Sequence, residues 1–243
     1  MCHGYFCVHL FLKAMNILPL SDVPGFNASA RALLRNDEHV NRMMERARKG
    51  GPDVSRRAEA AHVVRASMAG VEMTSTQVEA LTLLEGQARC IVSGQQVGFL
   101  GGPLYTFYKA ASVISRVRHL RNAGESAVGV FWIEDNDHDV NEASSAFLPS
   151  WDGVLQELHA RDFTDEHSGA AVSTLCFNES IITLGDRVKA IVGDYAYNRG
   201  IDDALRMVYK PGVSWSDAFL RLLHLWFAND GLLFVKASTV RSN

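Results

Sequence analysis

The chain has 243 residues, 47% of them hydrophobic and 21% charged, with a formal net charge of -3. That is enough apolar chain for a sizeable globular core, and it lacks the basic surplus expected of a nucleic-acid or membrane-surface binder. No apolar run reaches the roughly 18–20 residues needed to cross a bilayer, so neither a nucleic acid nor a membrane is an expected partner.

In chain order, residues 1–14 read as a non-native leader. The apolar stretch Tyr5 to Leu12 is short, follows no cationic segment and precedes no small-residue cleavage site, whereas a secretory signal would show all three features. Residues 15–87, opened by Met15, read as a helical N-terminal segment. One helix is expected from Glu38 to Lys49, closed by Gly50-Gly51-Pro52, and a second from Val54 to Met68. A third starts at the cap-like Thr74-Ser75, with Val78, Leu81 and Leu84 as its buried stripe, and ends near Gly86.

Residues 88–243 change character. Cys90-Ile91-Val92 has the apolar run of a buried parallel strand, with Cys90 as a small buried hydrophobe. A glycine-rich loop from Gly94 to Pro103 leads into a helix from Leu104 to about Arg121, and Val128 to Ile133 is a second buried strand. Strand, loop, helix and strand in this order form a βαβ unit and predict an α/β fold with a parallel sheet. Further strands are expected at Val154–His159, Val172–Phe177 and Leu232–Val235, and helices at Ser180–Val192 and Ile201–Val208. Trp215 to Ala228 is the strongest amphipathic helix, with Ala218, Phe219, Leu222, Leu225 and Trp226 on its apolar face. The four cysteines Cys2, Cys7, Cys90 and Cys176 form no CxxC pair, which fits a reducing cytoplasm.

Two segments carry chemistry. The first is Ser93 to Thr106, where four glycines, Gly94, Gly98, Gly101 and Gly102, lie between a strand and a helix. Glycines let a backbone approach a ligand closely, and a helix start at Pro103 or Leu104 adds partial positive charge. It is neither a P-loop nor GxGxxG, so a ligand loop and a tight structural turn both remain open. Lys109 shares a helix face with Tyr105 at i and i+4, from which it could reach an anion held by the loop. The second segment, Trp132 to Glu142, packs acids and one histidine behind a buried strand, where open α/β sheets bind ligands. Such a cluster can orient an amine, supply a base or bind a metal, although an EF-hand is excluded because Val140 and Ala146 occupy its obligatory glycine and glutamate positions.

Together these segments resemble the bacillithiol biosynthesis cysteine-adding enzymes. The resemblance rests on Gly94-Gln95-Gln96-x-Gly98, on Gly101-Gly102-Pro103-Leu104-Tyr105-Thr106-x-Tyr108-Lys109, and on Phe131-Trp132-Ile133 with Asp137-His138-Asp139 and Glu142. Leu18-Pro19-Leu20, Ser216-Asp217-Ala218-Phe219 and Gly231-Leu232 are also similar. The resemblance implies a Rossmann-like core, here truncated, followed in the family by a C-terminal coiled coil that makes full-length members homodimers. It implies a ligase that joins the carboxyl of cysteine to the amine of glucosaminyl-malate, with ATP and Mg as the expected but unread cofactors. On that basis Asp137, His138 and Asp139 are the catalytic candidates. Gln95, Gln96, Gly98, Gly101, Gly102, Tyr105, Lys109 and Trp132 are the substrate- or nucleotide-binding candidates, with Glu134 and Glu142 as weaker ones; no metal ligand is assigned. Two departures stand out: Asn136 replaces an acid of the family's run, and Lys236-Ala237-Ser238 replaces an aspartate-proline segment. A metal-dependent hydrolase using residues 134–142, or a non-catalytic remnant of the ligase, are the rival readings.

Overall fold

In the computed structural model, the described residues are 56–242, except 151, 166–168, 197 and 198, together with the isolated positions 31, 35, 38, 42 and 45. The expected leader, the opening at Met15 and the Gly50-Gly51-Pro52 breaker lie outside them, as does most of the helix expected from Glu38 to Lys49. The chain divides into two compact units, Met1–Pro52 and Asp53–Asn243. In the first, positions 31, 38, 42 and 45 are helical, and Arg42 pairs with Glu38 at 3.2 Å.

The second unit is an α/β layer structure. Its helices are α1 (Arg57–Ser67), α2 (Ser75–Glu85), α3 (Tyr105–Asn122), α4 (Val140–Ser144), α5 (Leu184–Ala196), α6 (Arg199–Val208), α7 (Trp215–Phe227) and α8 (Ala237–Ser242). Its strands are β1 (Arg89–Gln96), β2 (Ala127–Glu134), β3 (Ser145–Pro149), β4 (Leu155–His159) and β5 (Leu233–Lys236). The main sheet has the order β1-β2-β5 and is parallel throughout. β1 and β2 run in register from Arg89↔Ala127 to Gln96↔Glu134, so both end at the same edge. Among the described residues no helix is long and apolar enough to cross a membrane.

The central strand reads as an unbroken apolar run because helices cover both its faces. On one face Gly129 leaves room for α3: an added Cβ would lie 2.8 Å from Val113 and 3.5 Å from Val117. On the other, Val130 and Trp132 look toward Val63 and Val64 of α1 and Leu84 of α2. Phe131, Ile133, Leu233 and Phe234 are fully buried, each such side chain contributing about 1.5–3 kcal/mol of burial free energy.

β1 is an edge strand, and its outer face is only partly covered. Cys90 is therefore exposed rather than a buried hydrophobe, and Val92 is 58% exposed. Both line a groove with Arg57, Val130 and Val235, and the apolar walls push the Cys90 thiol above its ordinary range against the opposing charge of Arg57.

Other expectations are also revised. Val172–Phe177 is not a strand: Val172–Thr174 is a 3-10 turn, followed by single bridges from Phe177 to Thr164 and from Cys176 to Ser214. β4 pairs antiparallel with β3 in a separate hairpin, outside the parallel sheet. The helix expected at Ser180–Val192 is split, with a 3-10 turn over Glu179–Thr183 before α5. On α2 the buried stripe is Gln77, Ala80, Leu81 and Leu84, whereas Val78 is 49% exposed. Gln77 takes the inward position because its amide is fully used: Nε2 donates to the Leu232 carbonyl at 2.7 Å, and Oε1 accepts from the Thr74 amide at 3.1 Å and meets His224 Nε2 at 3.0 Å. On α7, Trp215, Ala218, Phe219, Leu222 and Leu223 face inward, whereas Leu225 and Trp226 are exposed.

Candidate active site

The parallel register brings the ends of β1 and β2 together, and both chemistry-bearing segments start there. The sequence left open whether the glycine loop cradles a ligand or turns the chain, and its geometry shows how much of it serves the turn. A Cβ on Gly94 would lie 2.5 Å from the Trp132 carbonyl oxygen, and one on Gly98 would lie 2.5 Å from Gly102 Cα. Gly101 and Gly102 have positive φ of 95° and 67°, a region that glycine adopts without steric cost. Their amides donate to the carbonyls of Gly98 and Phe99 within the loop, at 3.1 and 3.0 Å. Just before them, Leu100 holds φ 52°, a left-handed conformation costing roughly 1–2 kcal/mol for a residue with a Cβ. Packing of the neighbouring Phe99 ring against Phe163, Phe177 and Tyr209 anchors this turn.

The turn delivers α3 across the end of β1. Lys109 Nζ donates to Gln95 Oε1 at 2.8 Å and to the Gly94 carbonyl at 3.2 Å, and lies 4.9 Å from the centre of the Tyr105 ring. Gln95 Nε2 donates in turn to Tyr105 Oη at 3.3 Å. Gln95 is buried, whereas Tyr105 is half exposed. Among the described residues no carboxylate pairs with Lys109. Its charge is met by neutral acceptors and a π face, which leaves it able to attract an anion.

A second group forms beside it. Gln96 Nε2 donates to Asp137 Oδ2, and the Asp139 amide donates to Asp137 Oδ1 at 3.1 Å. The Asp139 amide foremost, then the Gln96 side chain, hold the Asp137 carboxyl below its ordinary range. Asp139 caps α4 by accepting from the Glu142 amide at 3.0 Å. Trp132 Nε1 donates to Glu134 Oε2 at 3.2 Å, and the other oxygen of Glu134 accepts from the Asn136 amide at 3.3 Å. His138 is exposed, and among the described residues no hydrogen bond holds its ring. Among the described residues, no three His, Cys, Asp or Glu side chains converge as metal ligands would.

The acidic segment is not a loose solvated loop. The amides of Val172 and Ser173 donate to the carbonyls of Asp137 and Asp135, at 3.0 and 2.9 Å. Asp135 is completely buried, and its carboxylate accepts from the amide and hydroxyl of Ser238 at 2.8 and 2.6 Å. Ser238 belongs to the segment that departs from the family's pattern, and Asp135 was not among the site candidates; a buried acid one residue past a strand was the available signal. On β5, Lys236 donates to Asp217 at 2.7 Å. Burial pushes the Asp217 carboxyl up, but the bond and charge of Lys236 outweigh it and hold the group below its ordinary range.

The structure thus assembles Gln95, Tyr105 and Lys109 in one contact group and Gln96, Asp137 and Asp139 in another. Gly98, Gly101 and Gly102 shape the turn, and Trp132 supports Glu134. A cavity of about 870 Å³ opens beside His138 and Asp139, and Arg161, Thr164 and Trp215 also line it. These last three residues were missed, because they lie on segments with no motif of their own.

Comparison with known proteins places the chain in a family. The family model described as bacillithiol biosynthesis BshC, N-terminal Rossmann-like domain, matches residues 25–241. Relatives that carry the provisional name cysteine ligase BshC include one from Salinibacter ruber, 32% identical over 70% of this chain and 30% of its own length. Another, from Koribacter versatilis, is 36% identical over 68% of this chain and 30% of its own length. A third, from Staphylococcus carnosus, is 29% identical over 76% of this chain and 35% of its own length. The alignments therefore span about a third of the curated relatives.

Proposed function

The chain belongs to the bacillithiol biosynthesis BshC family through its N-terminal Rossmann-like domain, and we propose that it is the substrate-binding core of a cysteine ligase. The reaction would join the carboxyl of cysteine to the amine of glucosaminyl-malate in the cytoplasm. The observation that carries this reading is the Asp137 carboxylate held by the Gln96 side chain and the Asp139 amide at the shared carboxyl end of β1 and β2, with no hydrogen bond to the His138 ring among the described residues.

Amide formation makes two demands on such a site. The amine must be held close to the acyl carbon, and it must lose a proton as the carbon–nitrogen bond forms. Asp137, kept ionised by its two donors, suits the first demand as an anchor for an ammonium group. It is a weak proton acceptor for the same reason. His138 suits the second demand, since its exposed ring nitrogens can accept a proton and no hydrogen bond occupies them among the described residues. ATP, the expected activating nucleotide, would turn the cysteine carboxylate into a better acyl donor. Lys109 fits its phosphates, whereas the amides of Gly101 and Gly102, and those of Thr106 and Phe107 at the amino end of α3, are already engaged.

Thermal melting with millimolar cysteine, glucosaminyl-malate and Mg-ATP tests the reading. A ligand at 100 times its dissociation constant adds about 2.7 kcal/mol to the folded state. The glucosaminyl-malate shift should disappear in Asp137→Asn and the ATP shift should shrink in Lys109→Gln. A chain that melts cooperatively and responds to none of the three would overturn the proposal in favour of a non-catalytic remnant.

A further inference from the structure

The cavity beside the acidic segment is bounded by groups from three parts of the chain: His138 and Asp139 after β2, Arg161 and Thr164 around a 3-10 turn that follows β4, and Trp215 at the start of α7. Most of its polar wall is already committed. Asp162 pairs with Arg187 at 3.0 Å, Asp165 accepts from Asn178 at 2.9 Å, and Thr164 Oγ1 accepts from Trp215 Nε1 at 2.9 Å. Arg161 differs. Its backbone amide is held by Ser144 Oγ at 3.1 Å, which fixes the residue at the rim, yet no carboxylate or carbonyl engages its guanidinium among the described residues. A guanidinium without a counter-ion among the described residues, on a backbone that Ser144 holds, in a cavity that Asp139 also lines, suits a ligand that carries charges of both signs. At about 870 Å³ the cavity exceeds what a single amino acid would fill and lies within the range of sites for larger ligands.

We infer that this cavity seats the larger, amine-bearing substrate, with Arg161 binding its carboxylate end, His138 and Asp139 facing the body of the ligand, and its ammonium group reaching Asp137 beside Asp139. The inference rests on the ligase reading and adds to it a seat and an anchor outside the two segments that carry the family resemblance. Arg161 binds its anion through a planar fork that matches a carboxylate, and lysine would not reproduce that match.

Calorimetric titration of the 243-residue chain with glucosaminyl-malate, malate, cysteine and inorganic phosphate tests it, using the wild type, Arg161→Gln and Arg161→Lys. Because no hydrogen bond or ion pair engages the guanidinium among the described residues, both variants should fold as the wild type does. The expected result is at least a tenfold loss of glucosaminyl-malate affinity in Arg161→Gln, partial recovery in Arg161→Lys, and unchanged binding of cysteine. Equal affinity in wild type and Arg161→Gln would overturn the anchor while leaving the ligase reading in place. Arg161-dependent binding of malate without any binding of glucosaminyl-malate would keep the anchor and sink the ligase reading. Phosphate that displaces malate through Arg161 would make the cavity a nucleotide site and overturn the inference, as would a wild-type chain that binds none of the four probes.

Discussion

Replacing Gly98 with alanine isolates the close approach that turns the chain from β1 into α3. The backbone of Gly98, at φ -143° and ψ 135°, is one that alanine adopts freely, so no conformational strain is added. The added Cβ would, however, sit 2.5 Å from Gly102 Cα and 3.0 Å from Gly102 N. Ordinary carbon contacts lie at about 3.5–4.0 Å, so one limb of the turn must move by roughly 1 Å. The obstacle is backbone rather than the end of a flexible side chain, which puts the cost at about 1–3 kcal/mol or more. Two further glycines calibrate the result. Gly124 has φ 79° and open space around it, so Gly124→Ala should cost about 1–2 kcal/mol from conformation alone. Gly70 has open space and no positive φ, so Gly70→Ala should change stability by less than about 0.5 kcal/mol. Urea denaturation of the three variants measures these differences, and each kcal/mol should also lower the melting temperature by about 2–4 °C. The displaced turn should at the same time disturb Lys109 and Gln95, visible as shifted amide resonances at both. A Gly98→Ala chain as stable as Gly70→Ala, with those resonances unmoved, would refute the reasoning.

Gln77→Ala should destabilise by about 2–4 kcal/mol in urea, since it strands the Leu232 carbonyl, the Thr74 amide and His224; Gln77→Leu restores volume only, so wild-type stability there would show that the bonds contribute nothing. Burial holds the His224 imidazole below its ordinary range, so the unfolded chain takes up its proton first and stability should fall as pH drops through about 6.5. The drop in urea midpoint between pH 7.5 and 5.5 should be smaller in His224→Asn than in the wild type; an equal drop would assign it to other histidines. Cys90, exposed but with its thiol pushed up by its apolar surroundings, should alkylate more slowly at pH 8 than free cysteine, and Val92→Lys should speed it by raising local polarity and positive charge. Peptide mapping that finds Cys90 reacting as fast as the free amino acid would contradict that account.

The sequence alone determined the βαβ unit and the identity of the two segments at its carboxyl end. Both depend on local information: an apolar run long enough for a strand buried on two faces, glycines where the chain must turn, and charge clustered just past the strand end. The resemblance to the BshC family rested on the same residues, and the family match over residues 25–241 agrees with it. Tertiary structure decided what depends on distant partners. Val78 was expected inside and lies outside because Gln77 finds its partners at Leu232 and His224, some 150 residues away along the chain. Cys90 and Val92 read as buried, yet an edge strand is covered only where another element reaches it, and apolar periodicity cannot register that. The glycine loop read as a cradle or a turn until the packing of Gly98 on Gly102, where an added Cβ would lie 2.5 Å from Gly102 Cα, and the engaged amides of Gly101 and Gly102 showed how much of it serves the turn. Arg161 joined the candidate site only because the chain folds back beside His138 and Asp139, and a lone arginine in a segment without a motif carries no mark of that in one dimension.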